Sequence, residues 1–283
     1  MQNSHYTIRT MTREMIPIAI DWAALEGWNP GLYDAESFYA ADPMGFFVGE
    51  VAGEEIATIS AVKYGEGFGF IGFYIVKPAY RSQGYGIPIW NAALRYLAGR
   101  NIGLDGVVAQ QENYQKSGFK LAYRNIRYQG LTSSYPQGQS AIVPLSEVPF
   151  AEILAYDRPL FPEPRSRFLQ AWLNQPESVA LGIVNQGKLA GYGMIRVCRS
   201  GYKIGPLFAD NPAFAEDLFL ALQSRVKPGQ PLYLDTPETN SDAIAITQKY
   251  DLQRVFETAR MYTGSFPDLA FQKLFGVTSF ELG

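Results

Sequence analysis

The chain has 283 residues, 47% hydrophobic and 18% charged, with a formal net charge of -3. That length holds two globular domains with separate cores, and the composition excludes a disordered chain. The small negative charge gives no general attraction to nucleic acid or to an anionic membrane.

One histidine, His5, and one cysteine, Cys198, argue against a Ser/His/Asp or Cys/His hydrolase, a His-rich metal centre and a disulfide framework. Carboxylates, tyrosine, lysine and backbone amides remain as catalytic groups, and no metal is expected. No apolar run reaches membrane-spanning length and Met1 to Thr10 lacks an apolar secretory segment, so a reducing cytoplasm is the expected compartment.

In chain order, Tyr6 to Arg9 reads as a strand. Met15, Ile16, Ala19, Ile20 and Ala23 then form a helical stripe whose start is blurred by Pro17. Glu26 to Gly31 breaks the chain around Trp28, and Asp34 to Ala41 forms a second helix. Trp28 is read first as folded onto the core and second as a substrate contact in a covering loop. Gly45 to Val51, Ile56 to Tyr64 and Phe68 to Val76 make an antiparallel meander.

The third of these strands feeds Lys77-Pro78-Ala79-Tyr80-Arg81-Ser82-Gln83-Gly84-Tyr85-Gly86, after which Ile87, Trp90, Leu94 and Leu97 recur at helical spacing. Pro88 fits a first turn, so the helix is predicted to begin between Gly84 and Ile87. Its unpaired N–H groups and positive dipole end point back into the loop beside Arg81, which makes an anion site with phosphate or pyrophosphate as the expected guest. Neither G-x-G-x-x-G nor G-x-x-x-x-G-K-[ST] is present. A strand from Leu104, a brief segment from Gln111 to Ser117 and a strand from Lys120 to Tyr128 complete a mixed sheet with helices on its faces.

A polar stretch around 131–141 reads as a linker between a first domain at 1–130 and a second at 142–265, with a tail at 266–283. Beyond the linker the order of elements repeats. Two helices come first, then strands at Ser178 to Val184, Leu189 to Arg199 and Tyr202 to Phe208, and a helix from Pro212. A short strand at Leu232 to Leu234, a helix from Ser241 and a last strand to Tyr262 follow. Asp235 to Asn240 reads as a polar turn, and Asp235 is marked as a substrate contact with helix capping as the competing reading. Leu269, Phe271, Leu274 and Phe275 dock the tail on the body or serve an oligomer contact, the chain being a monomer or a homodimer.

Val76 to Gly86 resembles the R/Q-x-x-G-x-G/A loop of the GNAT superfamily of N-acetyltransferases, and Tyr114-Gln115-Lys116-Ser117-Gly118-Phe119 resembles that family's Tyr-x-x-x-Gly-Phe element. The whole chain is similar to a bacterial branch with two such domains in tandem, an α/β fold with two mixed, mainly antiparallel sheets. The resemblance implies that acetyl-CoA binds through the main chain of Ile75 and Val76 and a phosphate cradle of Arg81, Ser82, Gln83, Gly84, Tyr85, Gly86 and Ile87. It also implies direct attack by the amine of a small molecule, a carbonyl polarised by main-chain N–H, and Tyr114 as the acid that protonates the thiolate.

Two departures stand out. Gln83 occupies a position often basic in the family, and the central strand carries no Glu or Asp to serve as base. A water chain, a group elsewhere or an amine of low pKa must replace that carboxylate. Glu26, Asp34 and Glu36 are read as solvated charges or caps. In the second half, Ile204 to Pro212 lacks the glycine pair and the arginine, so one acetyl-CoA site is expected, in the first half. A non-catalytic acyl-CoA sensor and a protein lysine or N-terminal acetyltransferase stand as alternatives.

Overall fold

The structure is a computed structural model and describes residues 6–134 and 140–283. β1 (Tyr6–Thr10) leads through a 3-10 turn into α1 (Ile16–Leu25) and then α2 (Asp34–Ala41). Pro17 stands in the first turn of α1, where its missing N–H leaves no bond unmade, and Ile16, Ala19, Ile20 and Ala23 are buried. The meander follows as β2 (Phe46–Val51), β3 (Glu54–Tyr64) and β4 (Phe68–Val76). After it come α3 (Gly86–Tyr96), β5 (Asn101–Val107), α4 (Gln111–Lys116) and β6 (Lys120–Leu131).

The second half opens with β7 (Ile142–Pro144), a strand that periodicity does not reveal, followed by α5 (Phe150–Asp157) and α6 (Ser166–Trp172). β8 (Ser178–Asn185), β9 (Lys188–Val197) and β10 (Tyr202–Ala209) form its meander. It closes with α7 (Pro212–Gln223), β11 (Pro231–Pro237), α8 (Ser241–Lys249), β12 (Gln253–Tyr262) and β13 (Leu274–Gly276). Part of the expected linker, 135–139, lies outside the described residues. No helix among the described residues is long and apolar enough to cross a membrane.

The strands form one continuous sheet in the order β1-β2-β3-β4-β5-β12-β6-β11-β10-β9-β8-β7, with β13 added to β10. The halves exchange their last long strands. β12 pairs antiparallel with β5 from Thr258↔Val107 to Tyr262↔Gly103, and β6 pairs with β11 from Leu131↔Pro231 to Asn125↔Pro237. β6 and β12 also pair with each other, so each half is completed by the other.

The core follows that arrangement. One cluster, including Phe38, Phe73, Phe168 and Trp172, draws on α2, β4 and α6 and so bridges the halves. A second lies under α3 with Ile59, Trp90 and Leu97, and a third under α7 with Leu207, Leu218 and Leu222. Each such side chain contributes roughly 1.5–3 kcal/mol on burial. Buried ion pairs also cross the seam: Arg127 grips Asp235 through two bonds of 2.7 Å, and Arg196 Nε donates to Asp34 at 3.0 Å.

Candidate active site

β4 and β5 run parallel only from Phe68↔Asn101 to Ile71↔Leu104. Beyond that point a bulge reshapes β4. Gly72 faces Ser60 and Ile75 faces Thr58, so Phe73 and Tyr74 together oppose a single residue of β3. Phe73 takes a left-handed φ of 48°, and its carbonyl accepts a 2.9 Å bond from the Thr58 hydroxyl. The two strands splay apart around a cavity of about 600 Å³.

At one end of the cavity lies the glycine loop. Ser82 and Gly84 adopt left-handed φ of 59° and 89°, and α3 begins at Gly86, inside the range expected from Pro88. Gly86 lies against the Tyr74 hydroxyl, where a Cβ would collide. Ile75, Val76, Arg81, Ser82, Gly84, Tyr85, Gly86 and Ile87 all line the cavity. Gln83 does not. Its side chain turns back to donate to the Ala79 carbonyl at 2.7 Å.

Arg81 is already engaged, donating from Nε to the Val76 carbonyl at 2.8 Å and pairing with Glu26 at the end of α1. The pair is partly exposed, so it contributes at most about 1 kcal/mol and an anion can compete for the guanidinium.

Tyr114 lies in the same cavity, on α4. Its ring packs against Trp90, centroids 5.6 Å apart, and over Gly106, whose missing Cβ makes room for it. Among the described residues its hydroxyl has no hydrogen-bond partner. Burial, with a smaller push from Tyr74, raises the phenol to about 12, so it stays protonated at neutral pH.

The two substrate candidates separate. Trp28 packs against the bridging core cluster and also lines the cavity, so both of its readings describe it, and its carbonyl accepts from Arg127 at 2.5 Å. Asp235 must be corrected. The segment expected as a turn is strand through Pro237 because β6 pairs with it, and the fully buried Asp235 carboxylate is spent on Arg127, away from the cavity lining. Of the acids flanking Trp28, only Glu26 reaches the cavity, since Asp34 is buried against Arg196 and Glu36 pairs with Arg13 on the surface.

Four lining residues come from the second half and escaped sequence reasoning: Phe256 and Thr258 on β12, and Phe280 and Glu281 in the tail. Glu281 is 3% exposed, and neither carboxylate oxygen has a hydrogen-bond partner among the described residues. Burial raises its carboxyl above the ordinary range, against an opposing pull from Lys203 and Arg127. The tail also carries Asp268 and Lys273, so no sequence signal singled Glu281 out. Cys198 lies outside the cavity, buried at the end of β9, and burial pushes its thiol up.

The second half contains the same splay, filled among the described residues. β10 and β11 pair only from Tyr202↔Leu232 to Ile204↔Leu234, and β13 pairs with β10 beyond it at Leu207↔Gly276 and Phe208↔Leu274. At the corresponding helix start, Asn211 caps α7 by accepting from the Phe214 N–H at 2.9 Å. Asp210 there pairs with Lys273 at 2.9 Å. The chain's own tail and side chains occupy the places that the first half leaves open.

Residues 12–119 match the Acetyltransferase (GNAT) family and residues 153–276 an Acetyltransferase (GNAT) domain. The chain is 30% identical to the holothin acyltransferase of Pseudoalteromonas sp. (strain SANK 73390), over 100% of this chain and 96% of that protein. Its fold is similar to that of a candidate acetyltransferase from Pyrococcus horikoshii, with a TM-score of 0.84 at 23% identity over 100% of this chain and 99% of that one. It also resembles a tandem GNAT protein from the clavulanic acid biosynthesis pathway, with a TM-score of 0.65 at 12% identity over 93% of this chain and 100% of that one. With each half matched separately and a relative aligned along the whole length, the chain belongs to the GNAT acetyltransferase family as a tandem-domain acyltransferase.

Proposed function

We propose that the first-half cavity binds acetyl-CoA and transfers its acetyl group to the primary amine of a small molecule in the cytoplasm, with Tyr114 as the acid. The observation that carries this reading is that one cavity joins the left-handed loop at Arg81 to Gly86, the bulged edge of β4, and the unpartnered phenol of Tyr114.

The residues suit the group. Amides from Arg81 to Ile87 and the start of α3 would hold a pyrophosphate, with Gly84 and Gly86 keeping Cβ atoms away. Main-chain groups of Ile75 and Val76, past the bulge, would take the pantetheine arm. When bound, acetyl-CoA supplies an activated acyl thioester.

The other contributions are the chain's own. Main-chain N–H groups near the bulge would polarise a carbonyl. Tyr114, protonated at neutral pH, would donate a hydrogen bond that strengthens as charge gathers on the departing sulfur. A thiol ordinarily titrates near 8.5, so complete transfer from a phenol at about 12 runs uphill by about 3.5 pKa units. Net transfer to sulfur is therefore completed only because the amine releases a proton that restores the phenol. The match to a relative named for acyl transfer supports the reaction class.

The test is incubation with acetyl-CoA and a panel of amines, following free thiol and the mass of the product, alongside calorimetric titration with acetyl-CoA. Amine-dependent thiol release and one site per chain are expected. Thiol release that requires a protein acceptor would redirect the reading, and two sites of equal affinity would overturn the assignment to the first half alone.

A further inference from the structure

We propose that β12 and the C-terminal tail build the acceptor side of this cavity, that it takes a flat, apolar monoamine, and that Glu281 receives the amine's proton. The inference rests on the acyl-transfer reading above.

Three carboxylates line the cavity, and two of them are spent. Glu26 pairs with Arg81. Asp105 is forked by Arg260 at 2.9 and 2.5 Å and accepts from Asn125 at 2.8 Å. Glu281 has no such partner. Of its cationic neighbours, Arg127 is bonded to Asp235, Lys203 to the Asn29 carbonyl at 2.8 Å and Arg196 through Nε to Asp34 at 3.0 Å, while Arg196 Nη1, without a partner among the described residues, makes no bond to Glu281 either. A carboxylate retained only to neutralise those cations would be hydrogen bonded to one of them. A buried acceptor left unbonded destabilises the site, and an incoming N–H donor recovers that loss.

The tail holds Glu281 firmly. The Val277 N–H donates to the Asp235 carbonyl at 2.8 Å, the Leu282 N–H to the Ser279 hydroxyl at 3.1 Å, and Tyr64 donates to the Leu282 carbonyl at 3.1 Å. The Glu281 carbonyl lies against Gly72, one residue before the bulge at Phe73. The acid missing from β4 is thus supplied beside β4 by a segment about two hundred residues later in the chain.

The acceptor's shape follows from the walls. Trp28, Phe256 and Phe280 line this side with aromatic side chains, which a planar body matches with the least loss of contact. A polyamine needs several anionic partners along its length, and this cavity offers one unspent carboxylate. In the step, the protonated amine first gives one N–H proton to Glu281; the freed lone pair attacks the thioester carbonyl carbon, the N–C bond forms and the C–S bond breaks with its electron pair on sulfur. Sulfur takes the Tyr114 proton, the second N–H proton passes through solvent to Tyr114, and Glu281 releases its proton to solvent.

The test compares wild type, Glu281→Gln and Glu281→Asp in acetyl-CoA binding by calorimetry and in turnover of benzylamine and spermidine from pH 6 to 10. The expected wild-type preference for benzylamine is on the order of tenfold or more in kcat/KM. Glu281→Gln should keep the acetyl-CoA Kd within about twofold yet lose on the order of 10²-fold in kcat at neutral pH. The loss should shrink as pH rises and the amine arrives already neutral, and Glu281→Asp should recover part of the rate. An unchanged kcat and pH profile in Glu281→Gln, or a preference for spermidine, would overturn the inference. Failure of the underlying reading looks different: wild type would bind no acetyl-CoA or release no thiol with any amine, and both would fall together.

Discussion

The carbonyl oxygen of Glu281 lies so close to Gly72 that no side chain fits between them. The tail is therefore seated on the strand that borders the cavity, and the hydrogen on Gly72 is what permits it. Gly72→Ala should lower stability by about 1–3 kcal/mol, because backbone must move to admit the methyl group. Acyl transfer should fall more than acetyl-CoA affinity, since the tail shifts and the glycine loop does not. Thermal denaturation, calorimetry and steady-state kinetics on one preparation separate these effects.

Tyr114→Phe should preserve acetyl-CoA binding and reduce kcat by about 10²-fold or more. Because burial places the phenol at about 12, its deprotonation should not limit the rate anywhere below about pH 11. A pH profile of wild type that falls with a midpoint near 9 would have to belong to another group.

Glu281 predicts an inverted stability trade. Its carboxyl is raised in the folded chain, so its stabilising contribution is complete below the unfolded value of about 4.3 and is lost as pH rises through the folded value. Glu281→Gln should therefore unfold at higher denaturant than wild type at pH 7, with the difference closing near pH 4. Urea titrations of both proteins at the two pH values check the sign.

Arg127 joins three parts of the molecule: β6, Asp235 on β11, and the Trp28 carbonyl beside the cavity. Arg127→Ala should cost about 3–5 kcal/mol by leaving Asp235 charged and unpaired. In the surviving folded fraction, the loop holding Trp28 should loosen and KM for the amine should rise. Arg127→Lys, unable to grip Asp235 through two parallel bonds, should fall between the two.

Glu26 pairs with the Arg81 guanidinium beside the glycine loop, where the proposed cofactor phosphates would compete for it. Glu26→Gln should tighten acetyl-CoA binding by up to about fivefold, the range available to a partly exposed ion pair. The gain should shrink with added salt, which calorimetry at two ionic strengths would register.

The first half was legible because its signals are local. A strand, a left-handed glycine turn and a proline in a helical first turn lie within about twenty residues, and Tyr114 follows at family spacing. Alternation and helical stripes likewise locate most strands and helices in the second half. Pairing is another matter. β6 and β12 are both mixed polar and apolar strands, and nothing in their periodicity says which neighbour each will take, so the exchange was invisible. Asp235 was misplaced for the same reason: the polar run from Asp235 to Asn240, with Pro237 inside it, reads as a turn until β6 pairs alongside its first residues. Glu281 had no motif to announce it, because its significance comes from what its neighbours have already bonded.

The strand exchange makes the active site the last thing the chain can finish. Gly103 waits for Tyr262 before β5 has its outer neighbour, and the cavity gains Phe280 and Glu281 only when the tail arrives. A ribosome that stalls before β12 releases a first half with a formed glycine loop, an unpaired β5 edge and no acceptor wall, a template for aggregation rather than a weaker enzyme. Catalytic competence in this architecture is thus a readout of completed synthesis, and a chain cut between its halves should regain it only when the two pieces are supplied together.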